Sequence, residues 1–126
     1  VGNWLDAHGL FPDSRGRALL RLNTEMTVRA LYENDLKILT HPGDKGRFDI
    51  REIAKACEET DTLMEINTRH CHLTEEEIRI AAKADVKFVV SSDAHSPNRV
   101  GDFKSGVERA LRAGLDPERI VNVEEL

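Results

Sequence analysis

The sequence has few cysteines, no long apolar run and no excess of positive charge. Two cysteines, Cys57 and Cys71, are too few for a disulfide framework. No apolar run is close to the length of about 20 residues that a membrane-spanning helix needs. The first residues do not have the pattern of a secretory signal. These absences predict a cytoplasmic protein with no membrane partner. The formal net charge of −5, from 18 basic and 23 acidic side chains, disfavours nucleic acid as a partner.

The chain also lacks an initiator Met, and no polar segment precedes Trp4. We therefore expect a piece of a longer protein. Its 126 residues, 40% hydrophobic and 33% charged, are typical of one globular domain with a real core. We assign residues 1–126 to a single domain.

Apolar runs and helical stripes alternate along the chain. The predicted strands are Leu36–Thr40, Thr62–Asn67, Lys87–Ser91 and Ile120–Val123. The predicted helices start near Asn23 or Thr24, after a cap at Asp49, at the Thr74–Glu77 capping box, and at Phe103, the last ending at Gly114. For this last helix, we expect Phe103, Val107, Ala110 and Leu111 to face inward. The alternation predicts an α/β fold of βα units on a parallel sheet.

Side chains that can bind metals follow the predicted strands. Asp93 and His95 come just after the apolar run Phe88–Val90, and two positions apart in extended chain they point to the same side. His41 follows the first strand. Alone, Asp93 and His95 would equally suit a cap and a surface histidine. Because parallel strands end at one edge, we expect His41, Asp93 and His95 to bind metal there, with Asp93 and His95 catalytic.

Other polar residues near these strand ends have more than one interpretation. Asn67, Arg69 and Arg99 are candidate substrate-binding residues, the arginines as partners for phosphate. The sequence leaves four roles open: those of His8, Glu65, His70 and His72. The triplet His70–His72 lacks the spacing of a structural zinc site and suits a solvated loop.

Three motifs together resemble the C-terminal half of a PHP domain, the polymerase and histidinol phosphatase family of metal-dependent phosphoesterases. They are Ile38–Asp44, Leu63–Asn67, and Val90–His95 followed by Val100–Gly101. Their order and approximate spacing match over roughly residues 24–123. The sequence Ser-Asp-Ala-His after an apolar strand is the most specific of them.

The resemblance implies a distorted (β/α)7 barrel, of which this chain is the C-terminal portion. It also implies two or three metal ions at the strand ends, with His41, Asp93 and His95 as ligands. Zn, Mn and Fe all suit such mixed His and carboxylate sites. The acidic net charge favours a small phosphorylated substrate over DNA. The family's N-terminal His-x-His motif is absent before His41. We therefore expect the preceding part of the barrel, or a second copy, to complete the fold, and these 126 residues alone to be inactive or nearly so.

Two rival functions stay open on the sequence. One is a related metal-dependent amidohydrolase barrel, which also places His and Asp at strand ends. The other is a non-catalytic PHP-like module that serves in assembly or regulation. Substrate preference separates the first rival from a phosphoesterase, and metal content separates the second.

Overall fold

The computed structural model describes residues 13–40, 42 and 47–123, where helices and parallel strands alternate. The helices are α1 (Asp13–Glu33), α2 (Ile50–Thr60), α3 (Glu75–Ala81) and α4 (Lys104–Arg112), and the strands are β1 (Ile38–Leu39), β2 (Leu63–Asn67) and β3 (Phe88–Ser91). Short 3-10 helices cover Pro97–Arg99 and Pro117–Arg119. The predicted α/β class is confirmed. None of the helices in these ranges has the length and apolar character needed to cross a bilayer.

The sheet has the order β1-β2-β3, and both strand pairs are parallel. Strands that follow each other in the chain are therefore neighbours in the sheet. This stepwise order suits a segment of a β/α barrel. Three strands do not close a barrel, so the barrel itself stays a prediction. β1 is shorter than the predicted Leu36–Thr40, since only Ile38 and Leu39 pair with β2.

The predicted strand Ile120–Val123 is wrong. Ile120 makes a single parallel bridge to Phe88. Beyond Ile120, the side chain of Asn122 pairs with the backbone of β3. Its Oδ1 accepts the Val90 N–H at 3.0 Å, and its Nδ2 donates to the Val90 carbonyl at 2.7 Å. A side-chain amide carries the same donor and acceptor as a peptide group, so it covers a strand edge without extending the ladder.

The start predicted for the first helix is also wrong. α1 begins at Asp13, and Thr24 lies in its middle, fully buried. The Thr24 hydroxyl donates to the Leu20 carbonyl one turn earlier at 2.7 Å and accepts the Asp49 N–H at 2.9 Å. Thr24 therefore links α1 to the start of α2 instead of capping a helix.

The predicted caps of the later helices are confirmed. The Asp49 carboxylate accepts the N–H groups of Arg51 and Glu52 at the start of α2. Thr74 and Glu77 form the capping box of α3. Gly114 follows α4 with a φ of +80°, a conformation that favours glycine.

The inward face predicted for α4 needs correction. Phe103 and Leu111 are 40% and 44% exposed. The buried residues of α4 are Gly106, Arg109 and Ala110. Gly106 packs so closely on the sheet that an added Cβ would lie 2.9 Å from a Val90 methyl group, so this stripe faces the strands.

The two faces of the sheet differ in chemistry. The face that packs on the helices carries the apolar core residues Met64, Ile66, Phe88 and Val90. The opposite face carries the polar residues Glu65, Asn67 and Ser91, together with half-buried Leu63 and Val89, because side chains alternate along a strand. This polar face ends where the chain leaves β3 toward Asp93.

Candidate functional site

Asp93 and His95 lie side by side just after β3. The His95 Nδ1 atom is 3.8 Å from Asp93 Oδ1 and 2.8 Å from the Asp93 carbonyl oxygen. Asp93 has a φ of +47°, in the left-handed region that Asp tolerates better than most residues. The two side chains therefore meet because the backbone bends at Asp93, and not through the extended chain that the sequence suggested.

Asn67 connects the end of β2 to Asp93. Its Nδ2 donates to Asp93 Oδ2 at 3.1 Å. This hydrogen bond is the main cause that holds the pKa of the Asp93 carboxyl below its ordinary value, with nearby His95, His70 and Arg69 acting in the same direction. Asp93 is therefore an anion at neutral pH.

His70, whose role the sequence left open, also reaches Asp93. Its Nε2 lies 3.0 Å from Asp93 Oδ2. The loop is held in place because the Asn67 Oδ1 accepts the His70 backbone N–H at 2.8 Å. An Asn at a strand end that bonds the N–H three residues later was the available sequence signal for this turn.

Arg109 on α4 holds both ends of the loop that carries His70. This side chain is only 6% exposed, and its guanidinium donates to the carbonyls of Leu73 at 2.8 Å and Asn67 at 3.3 Å. Burial lowers the pKa of Arg109 from its ordinary, very high value. The sequence does not predict this role of Arg109, because a charged side chain in an amphipathic helix is usually assigned to the solvent face.

A cavity of about 210 Å³ opens at this edge of the sheet. Its lining includes Arg69, Ser92, Asp93, His95, Ser96 and Arg99. Arg69 contacts His95 through its guanidinium, and Arg99 lies 3.4 Å from Asp102. The structure thus brings four of the predicted site residues, Asp93, His95, Arg69 and Arg99, to one cavity. Asn67 is fully buried behind it, so its substrate contact stays a prediction that this position does not favour.

A larger groove of about 430 Å³ lies between α1 and α2. Its charged side chains pair with each other, as in the contacts of Arg21 with Glu52 and of Lys55 with Glu59. It offers no imidazole or thiol among its lining residues. The smaller cavity at Asp93 is therefore the better candidate for chemistry.

The metal site is predicted but untested. His41 and His8 lie outside the described residues. Within residues 13–40, 42 and 47–123, no three His, Cys, Asp or Glu side chains are arranged to hold a metal ion. His70 and His95 approach different oxygens of Asp93. Carboxylate and imidazole are ligand types that suit Zn, Mn or Fe, so the chemistry of these side chains fits such an ion, while their arrangement alone does not form a three-ligand site.

Comparison with known proteins gives a distant match. No family model matches the sequence. Relatives in Escherichia coli O1:K1, Escherichia coli O157:H7 and Shigella boydii serotype 18 are each named "Probable phosphatase YcdX". Each is 26% identical over 110 residues, which cover 80% of this chain and 45% of the relative. The chain thus spans a little under half the length of the curated relatives it matches.

Proposed function

We propose that this protein belongs to a metal-dependent phosphoesterase of the PHP type, which removes phosphate from a small phosphorylated substrate. The observation that carries the proposal is the meeting of Asp93 and His95 with Arg69 and Arg99 in one cavity. The distant similarity to probable phosphatases supports phosphatase-type chemistry. It does not specify a substrate.

Arg69 and Arg99 are proposed to bind the phosphate group. Two guanidinium groups beside a single carboxylate favour an anionic ligand, and charge-assisted hydrogen bonds to phosphate are strong. The ion pair between Arg99 and Asp102 joins side chains that are 56% and 40% exposed. Such an exposed pair contributes little free energy, so a phosphate can replace Asp102 as the partner of Arg99.

His41, Asp93 and His95 are proposed as the metal ligands of this chain. Two or three bound Zn, Mn or Fe ions would supply an activated water and offset charge on the phosphate. Because His95 Nδ1 lies against the Asp93 carbonyl, Nε2 is the nitrogen left to serve as a ligand. Asp93 enters as an anion and would also orient the attacking water.

The barrel is proposed to be completed at β1, by its preceding part or by a second copy. β1 lies at the edge of the three-stranded sheet, and its Ile38 is 44% exposed. Among the described residues, no strand pairs with the outer side of β1. A strand edge of this kind with an exposed apolar side chain is a surface that another strand would cover. Location in the cytoplasm stays a prediction.

Hydrolysis of p-nitrophenyl phosphate tests the proposed activity. The 126 residues are expressed alone and, as a longer form, together with the flanking sequence encoded in the same gene. Both forms are assayed with Mn, Zn or Fe(II). We expect metal-dependent turnover in the longer form and little or none in the 126 residues alone. Asp93→Asn should lower kcat on the order of 100-fold or more. Asp35→Asn, at a site 85% exposed and remote from the cavity, is the matched control.

Three outcomes would contradict the proposal. Turnover that is independent of metal, or unchanged in Asp93→Asn, would exclude the assigned chemistry. Preference for amide or lactone substrates would favour an amidohydrolase. A longer form that retains no metal and hydrolyses nothing would favour a non-catalytic module.

A further inference from the structure

We infer that Glu65 and Asn67 are positioning residues that fix the Asp93 carboxylate in the site. The inference rests on the proposed function, because it assigns a role in that chemistry to two residues that do not line the cavity. It follows from a continuous hydrogen-bonded path that runs from Ser91 through Glu65 and Asn67 to Asp93.

The second member of the path, after Ser91, is the buried carboxylate of Glu65. Glu65 is only 7% exposed, on the polar face of β2. Its Oε2 accepts the Ser91 hydroxyl at 2.6 Å, and its Oε1 accepts Asn67 Nδ2 at 3.1 Å. A buried carboxylate is costly unless it is hydrogen-bonded, so these contacts constrain Glu65 to one arrangement.

Only one orientation of the Asn67 amide satisfies its neighbours. Nδ2 lies 3.1 Å from Glu65 Oε1 and 3.1 Å from Asp93 Oδ2, while Oδ1 accepts the His70 N–H at 2.8 Å. A flipped amide would set its oxygen against two carboxylates and its NH2 group against an N–H. Both hydrogens of Nδ2 are therefore committed to the two carboxylates.

The NH2 group of Asn67 thus links the Asp93 carboxylate to the buried carboxylate of Glu65. Oδ2 is the oxygen that Asn67 holds, and Oδ1 is the oxygen nearer His95. Partners that orient a reactive carboxylate or metal ligand from behind commonly change affinity or activity by about 10- to 100-fold when they are removed. Glu65 acts one step further back, because it fixes the amide that holds Asp93.

Three variants, made in the longer form that carries the flanking sequence, test whether Glu65 and Asn67 position Asp93. Glu65→Leu removes both acceptor oxygens, and we expect kcat to fall by about 10- to 100-fold with KM nearly unchanged, since Arg69 and Arg99 bind the phosphate. Glu65→Gln can accept from Asn67 and donate to the Ser91 hydroxyl, so it should recover much of the loss. Thr62→Val is the control, because it removes a buried hydroxyl that bonds the Leu36 carbonyl at the opposite end of β2. It should lower the melting temperature without changing kcat.

A second readout does not depend on activity. In ¹H–¹⁵N spectra, the side-chain amide protons of Asn67 should exchange with solvent far more slowly than those of exposed Asn98, and Glu65→Leu should accelerate them. Equal kcat in Glu65→Leu and Thr62→Val would overturn the inference. So would fast exchange at Asn67 in the wild type. Slow exchange that Glu65→Leu abolishes, in a protein that hydrolyses no phosphate ester, would support the path while rejecting the proposed function.

Discussion

At the scale of single residues, Asp93 is defined by its neighbours. Asn67 donates to its carboxylate, and His70, His95 and Arg69 lie close enough to favour its charged form. Each of these groups comes from the end of β2 or the end of β3. The carboxylate is therefore held as an anion before any ligand arrives, which is the state that a cation or a polarised water requires.

A second carboxylate, Glu58, gives a prediction about pH and stability. Its side chain accepts the Asp85 N–H at 2.7 Å, and Lys55 lies 3.2 Å away. The Asp85 hydrogen bond, and then Lys55, lower the pKa of Glu58 in the folded protein. This contribution to the free energy of unfolding is therefore present at neutral pH and is lost as the pH falls through the lowered pKa.

We expect Glu58→Gln to be less stable than the wild type at pH 7. The difference should shrink as the pH falls from the ordinary glutamate pKa through the lowered pKa of folded Glu58. Urea unfolding from pH 7 down to pH 3 measures this, with Glu33→Gln on the exposed end of α1 as the control. A stability difference that grows as the medium becomes more acidic would show that the sign is wrong.

At the scale of elements, the packing of α4 on the sheet depends on one glycine. A Cβ on Gly106 would lie 2.7 Å from Thr68 Oγ1 and 2.9 Å from a Val90 methyl group. We expect Gly106→Ala to lower the free energy of unfolding by about 1–3 kcal/mol, because the added methyl group forces α4 away from β2 and β3. Chemical denaturation measures the change.

Ser105→Ala, at the exposed neighbouring position of α4, is the control for that experiment. Both variants gain helix propensity, and Gly106→Ala gains more than Ser105→Ala, so a lower stability of Gly106→Ala would come from packing. If Gly106→Ala were as stable as Ser105→Ala or more so, the close approach of α4 to the sheet would be refuted.

At the scale of the whole molecule, the sequence predicts those features that depend on residues close together in the chain. The strand at Phe88–Ser91 follows from an apolar run, and the caps at Asp49 and Thr74 depend on partners within three residues. The meeting of Asp93 with Arg69 follows from the rule that parallel strands end at one edge. Local pattern and this rule together predict the parallel α/β sheet and four residues of the cavity.

The contacts that the sequence did not predict join residues that lie far apart in the chain. Thr24 looks like a helix cap until the Asp49 N–H, 25 residues later, meets its hydroxyl. Asn122 reads as a strand residue, yet its side chain pairs with Val90, 32 residues earlier. The His70 contact with Asp93 likewise requires the path of a loop that Arg109 holds. Such contacts become visible only once the elements are packed.

We propose that His41, Asp93 and His95 bind the same metal centre. The most direct measurement is anomalous diffraction at the absorption edges of Zn, Mn and Fe, on crystals of the protein with its natural flanking sequence. We expect metal peaks within coordination distance of Asp93, His95 and His41 at the C-terminal edge of the sheet. No metal peak there, or a His41 side chain remote from Asp93 and His95, would contradict it.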